Sequence, residues 1–90
     1  MQMRTPGDEL FSVLRGLEMD TRIYQNYVSE LDYRVKWNCE NSPAGDYRNV
    51  SNAKLRRRIE TLEETMAMRL NYIKEQRDLL FQQLERKYSE

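Results

Sequence analysis

Histidine is absent from this 90-residue chain. With it go the commonest general base and the commonest metal ligand. The single cysteine, Cys39, excludes an intramolecular disulfide and leaves too few ligands for a structural zinc site within one chain. Proline occurs twice and glycine three times, so few positions interrupt a helix. No apolar run approaches the ~20 residues of a membrane span, and no secretory signal opens the chain. The expectation is an intracellular protein, cytoplasmic or nuclear and not secreted, with no cofactor, no metal and no membrane partner. Net charge is also absent, since 15 basic and 15 acidic side chains cancel. Charged residues are nonetheless 33% of the sequence, which suits a long solvated helical surface better than a compact core.

What is present is apolar periodicity. Leu55, Ile59, Leu62, Met66, Leu70, Ile73, Phe81, Leu84 and Tyr88 follow an 11-residue repeat of steps, with Arg77 as its one polar member. Such a repeat has about 3.67 residues per turn, so its stripe runs nearly straight along a relaxed helix. Upstream, Leu10, Leu14, Leu17, Thr21, Tyr24, Val28, Leu31 and Val35 alternate steps of 4 and 3, a heptad-type seam with one polar member, Thr21. Thr5-Pro6-Gly7-Asp8 carries the marks of a helix start: a capping threonine, proline at the first position and the acid of a capping box. Seven of the eleven residues 41–51 are Asn, Asp, Ser, Gly or Pro, the turn formers.

These signals predict a single domain over residues 1–90: helix 1 from about 6 to 40, a connection over about 41–51, and helix 2 from about 52 to 88. Similar helix lengths and one loop favour an all-α, antiparallel, coiled-coil-like hairpin. Gly16 suggests either a close approach by another helix or a tolerated exposed glycine. Arg77 suggests either a register-setting polar residue or a snorkelling one.

A hairpin buries one seam, and further apolar residues lie off both stripes. These are Phe11, Met19, Ile23, Tyr27, Tyr33 and Trp37 on helix 1, and Met68, Tyr72, Leu79 and Leu80 on helix 2. Burying a large side chain contributes roughly 1.5–3 kcal/mol, and a small chain has little stability to spare. A second copy packed face to face, giving a dimeric four-helix bundle, covers them economically. These ten residues are therefore the candidate partner-binding faces.

Charge is unevenly placed. Residues 46–58 hold Arg48, Lys54, Arg56, Arg57 and Arg58 against Asp46 alone, while the flanking segments are net acidic. This basic tip suits an anionic partner. It also lies within helical reach of Glu60, Glu63 and Glu64, with Glu30 and Asp32 nearby across a hairpin.

The leading expectation is a non-catalytic oligomerisation or protein–protein interaction module: a scaffold, an adaptor, or a regulatory protein that covers a target. A nucleic-acid binder using the basic tip is the alternative. A distant third rests on analogy of length and helicity alone, to the small all-α chorismate mutases, intertwined helical dimers that hold a dianionic substrate with arginine and lysine. The break those enzymes carry in the second half is missing here.

Overall fold

A computed structural model describes residues 5–40 and 47–88. Two helices pack against each other, and there is no strand among the described residues. Helix α1 spans Pro6–Trp37 and α2 spans Asn52–Tyr88. The body measures 64 × 27 × 16 Å. Its least dimension is little more than one helix with side chains, about 10–12 Å, so the hairpin is a single layer.

The α1 start is a full capping box. The Asp8 N–H donates to the Thr5 hydroxyl (3.1 Å), and the Thr5 N–H donates to the Asp8 carboxylate (3.2 Å). Pro6 sits where its missing N–H costs nothing, and Asp8 and Glu9 face the positive end of the dipole. The helix stops at Trp37, short of residue 40, because Asn38 turns left-handed (φ 48°, ψ 51°). Its N–H and that of Cys39 close back on the carbonyls of Arg34 and Val35, satisfying orphan acceptors of the last turn. At the α2 start the Ser51 hydroxyl accepts from the Lys54 N–H (3.2 Å), and the Ser51 carbonyl accepts from Leu55 (2.9 Å). Most of the expected connection, 41–46, lies outside the described residues.

Cross-helix contacts fix an antiparallel pairing. Arg34 meets Asn52, Tyr24 meets Glu63, Asp20 meets Arg69 and Glu9 meets Tyr72. The seam differs from the apolar stripes. On α1 the residues most enclosed by α2 are Val13, Leu17, Asp20, Tyr24, Tyr27, Glu30 and Arg34. Leu17 and Tyr24 belong to the expected seam, but Leu14, Val28, Leu31 and Val35 are exposed. The helix has turned so that positions one residue earlier face inward. On α2, Leu55, Ile59, Leu62 and Met66 are enclosed as the stripe requires. Beyond them the enclosed residues become Arg69, Ile73, Gln76 and Leu80, whereas Leu70, Arg77 and Phe81 are exposed. The 11-residue stripe thus parts from a 7-residue seam near Arg69.

Polar pairing explains the rotation. Arg34 is 5% exposed and forms a 2.6 Å ion pair with the equally buried Glu30. It also donates to Asn52 Oδ1 (2.6 Å) and to the carbonyls of Val50 (2.8 Å) and Tyr47 (3.3 Å). One guanidinium therefore ties the end of α1 to the loop and to the start of α2. Beside it lies the apolar core: Val50, Leu55 and Ile59, covered by Tyr24, Tyr27 and Tyr47. Tyr27 and Tyr47 meet edge to face at 5.7 Å. Midway along, Arg69 pairs with Asp20 at 2.6 Å. It does so over Gly16, where a Cβ would overlap the guanidinium. The close neighbour of Gly16 is thus an arginine side chain of α2.

Thr21 donates to the Leu17 carbonyl (2.8 Å), which satisfies its hydroxyl locally. Arg77 lies at the surface beside Asp78 (3.2 Å), and its neighbour Gln76 takes the buried position.

Candidate functional site

Helical geometry gives the hairpin two long open faces, one on each side of the seam. The first carries Leu14, Thr21, Val28 and Val35 from α1, each one residue after Val13, Asp20, Tyr27 and Arg34. From α2 it carries Glu63, Leu70, Arg77 and Leu84. The second carries Glu9, Gly16 and Ile23 from α1, with the buried Glu30 closing its loop end, and Arg58, Thr65, Tyr72 and Leu79 from α2. Cross-helix bonds agree with this division. Tyr24 donates to Glu63 (2.7 Å) on the first face, and Tyr72 to Glu9 (3.3 Å) on the second. The Tyr24 phenol is pushed above its ordinary value, chiefly because the Glu63 carboxylate holds its proton.

The first face is rich in aliphatic side chains, with Arg56, Glu63 and Arg77 among them. Leu14, Val28, Leu31 and Val35 of α1 are exposed there with Leu70 and Leu84 of α2, and Phe81 and Tyr88 adjoin at the far end. A shallow groove bounded by Leu31, Val35, Cys39 and Asn52 opens near the loop. Both stripes have turned off the seam toward this side, so their apolar side chains are exposed there, interrupted by Thr21, Glu63 and Arg77.

The second face holds most of the ten residues expected to bind a partner. Ile23, Trp37, Tyr72 and Leu79 lie on it, and Met19 and Met68 lie farther round on the same side; all six are exposed. Tyr27 is partly withdrawn into the core cluster. Tyr33 is half-buried and tilts against Trp37 at 6.3 Å, while Leu80 is half-buried and Phe11 is exposed at the start of α1. The structure brings Ile23 and Tyr27 together with the basic residues. A groove of about 420 Å³ is lined by Ile23, Tyr27, Lys54, Arg57, Arg58, Thr61, Leu62 and Thr65.

The other basic residues part company. Arg56 pairs with Glu60 (2.9 Å) at the surface, and Arg48 is exposed in the turn before α2. Glu63, Glu30 and Asp32 engage Tyr24, Arg34 and Lys36. Among the described residues no carboxylate lies within ion-pair distance of Lys54, Arg57 or Arg58. No group of three or more potential metal ligands occurs among them, and no helix is long and apolar enough to cross a membrane.

The periodicity missed the polar half of the seam: Asp20, Glu30, Arg34, Arg69 and Gln76. A usable signal was the i,i+4 pair Glu30–Arg34 directly ahead of the loop. It also assigned Leu14, Val28, Leu31, Val35, Leu70, Phe81, Leu84 and Tyr88 to the interior, where they are in fact exposed.

By fold the chain belongs to the all-helical hairpins. Comparison with protein-family models, with curated proteins and with solved structures finds no match to it.

Proposed function

We propose that this protein is a non-catalytic oligomerisation and protein-interaction module, whose hairpin pairs through its aliphatic face with a second copy to form a four-helix bundle. The observation that carries this reading is the orientation of the two stripes. Only Val50, Leu55 and Ile59 are buried hydrophobic residues, whereas fifteen large hydrophobics among the described residues are exposed. Eight of the fifteen lie on or beside the first face. A large apolar face rimmed by polar residues is what an interaction site presents. A two-fold partner presents the same strip, and such isologous pairing is the commonest route to a closed dimer. An intracellular setting accords with this reading, because Cys39 is a half-buried free thiol.

Light scattering tests it. The chain should run at twice its 10.9 kDa mass. Val28→Glu combined with Leu70→Glu should lower the assembly, because each would place a charge in the new core. A wild-type chain that stays monomeric at high micromolar concentration contradicts the bundle.

A further inference from the structure

The basic groove lies on the face that the proposed bundle leaves open. Its floor is apolar, made by Ile23, Tyr27 and Leu62, and its rim is cationic, made by Lys54, Arg57 and Arg58. We propose that it receives a short acidic segment of a protein partner, with one large apolar side chain on the floor and carboxylates against the rim. This deepens the reading of the chain as an interaction module, and it does not depend on self-association.

Charge complementarity is the first support. The three cations converge on one groove with no carboxylate in ion-pair range among the described residues; Arg15, Arg48, Lys74, Arg86 and Lys87 share that lack, but none of them lines that groove. Arg58 is only partly exposed, so it has less freedom to lose on binding than a fully solvated side chain. An arginine fork suits a carboxylate geometrically.

Shape and floor select a peptide over nucleic acid. Lys54 to Arg58 spans about 6 Å of helix axis, room for about two phosphates, whereas nucleic-acid binders engage roughly 6–10. The Tyr27 ring is committed to its edge-to-face contact with Tyr47, which removes it as a stacking platform for bases. The volume is within the ~300–1,000 Å³ of ligand pockets, but the site is an open trough between two helices. Small ligands need nearly complete enclosure there, whereas a chain segment lying along the trough does not.

The test is to pan a random 12-residue peptide display library on the full chain and measure the enriched peptides by fluorescence anisotropy. The expected consensus has two or more Asp or Glu within four residues of a large apolar side chain. Arg57→Glu with Arg58→Glu should weaken binding at least tenfold, and affinity should fall severalfold between 50 and 300 mM salt. Circular dichroism should show the variant folded. If it is not, Arg57→Gln with Arg58→Gln replaces it, with at least a threefold loss expected. A consensus without acids, no enrichment, or affinity indifferent to these changes overturns the proposal. So does tighter binding of single-stranded DNA or RNA at the same arginines, or a loss of oligomeric state in the arginine variant, which would place a second copy in the groove. Light scattering of the same samples separates failure of the groove from failure of the bundle.

Discussion

The two ends of the hairpin treat their side chains in opposite ways. At the loop end Arg34 satisfies four acceptors, and Leu55 is completely buried. At the open end every residue of α2 from 81 to 88 is exposed, Phe81, Leu84 and Tyr88 included. The loop end is a finished small core held by a polar clamp. The open end leaves its apolar side chains uncovered. The contrast shows how a chain this short divides its work: one end holds the hairpin, and the rest presents surface.

The largest effect should come from breaking the clamp. Arg34→Met leaves the Glu30 carboxylate buried without its guanidinium and strips donors from the Val50 carbonyl and Asn52. Removing one partner of a buried pair costs about 3–5 kcal/mol, read by urea unfolding. Arg34→Met with Glu30→Leu should recover much of that loss, because the buried charge goes too. If the single variant costs no more than a surface change, the loop end is not the part that holds the hairpin.

Next come leucines at opposite ends. Leu55→Ala should cost about 2–5 kcal/mol as a large-to-small core change. Leu84→Ala should cost within about 0.5 kcal/mol in an isolated hairpin, as surface changes do. In the bundle it should weaken association by roughly 2 kcal/mol or more, since both copies lose a buried leucine. Sedimentation of the two variants sharpens the contrast: Leu55→Ala lowers folding, and Leu84→Ala lowers assembly.

Midway between the ends, Gly16→Ala should change stability by less than about 1 kcal/mol. The helix gains up to ~1 kcal/mol from alanine, and the displaced Arg69–Asp20 pair, partly exposed, offsets part of it. A double-mutant cycle with Arg69→Ala should show the alanine more stabilising once the guanidinium is gone. Equal effects in both backgrounds would mean that the glycine is not reserved for that arginine.

The smallest effect concerns pH. Tyr24 has its proton held by Glu63, which raises its folded pKa above the ordinary value near 10. Such a group contributes fully below the unfolded pKa, and its contribution fades as pH rises through the folded one. Tyr24→Phe should therefore leave the unfolding curve unchanged in shape at neutral pH and remove a slight extra loss above pH ~10. Alkaline melting curves of the two proteins check this.

The all-helical character was legible because proline and glycine are scarce and the apolar periods are helical throughout. The hairpin was legible from the turn-forming stretch between two long periodic segments. The rotation of each helix was not. Hydrophobic stripes report which residues avoid water, but not which neighbour covers them. Here the clamp of Glu30 and Arg34, and the Asp20–Arg69 pair, occupy seam positions that periodicity would assign to Leu31, Val35 and Leu70. The Asp20–Arg69 pair is satisfied only across the hairpin and leaves no trace in a one-helix pattern, whereas the i,i+4 spacing of Glu30 and Arg34 does. The clustering of Lys54, Arg57 and Arg58 was readable, as was the apolar character of Ile23 and Tyr27. Their convergence on one groove needed the antiparallel pairing.

The central claim is that a single hairpin presents more apolar surface than it encloses and completes its core with a second copy. The most direct measurement is the melting temperature of the wild-type chain as a function of concentration. Folding coupled to dimerisation gains about 1.4 kcal/mol per tenfold rise in concentration. For two chains of this length that is a rise of roughly 3–5 °C for each tenfold. A melting temperature that climbs in this way from low to high micromolar concentration is the predicted result. One that stays flat over the same range, with a cooperative transition, would show a self-sufficient monomer and contradict the account.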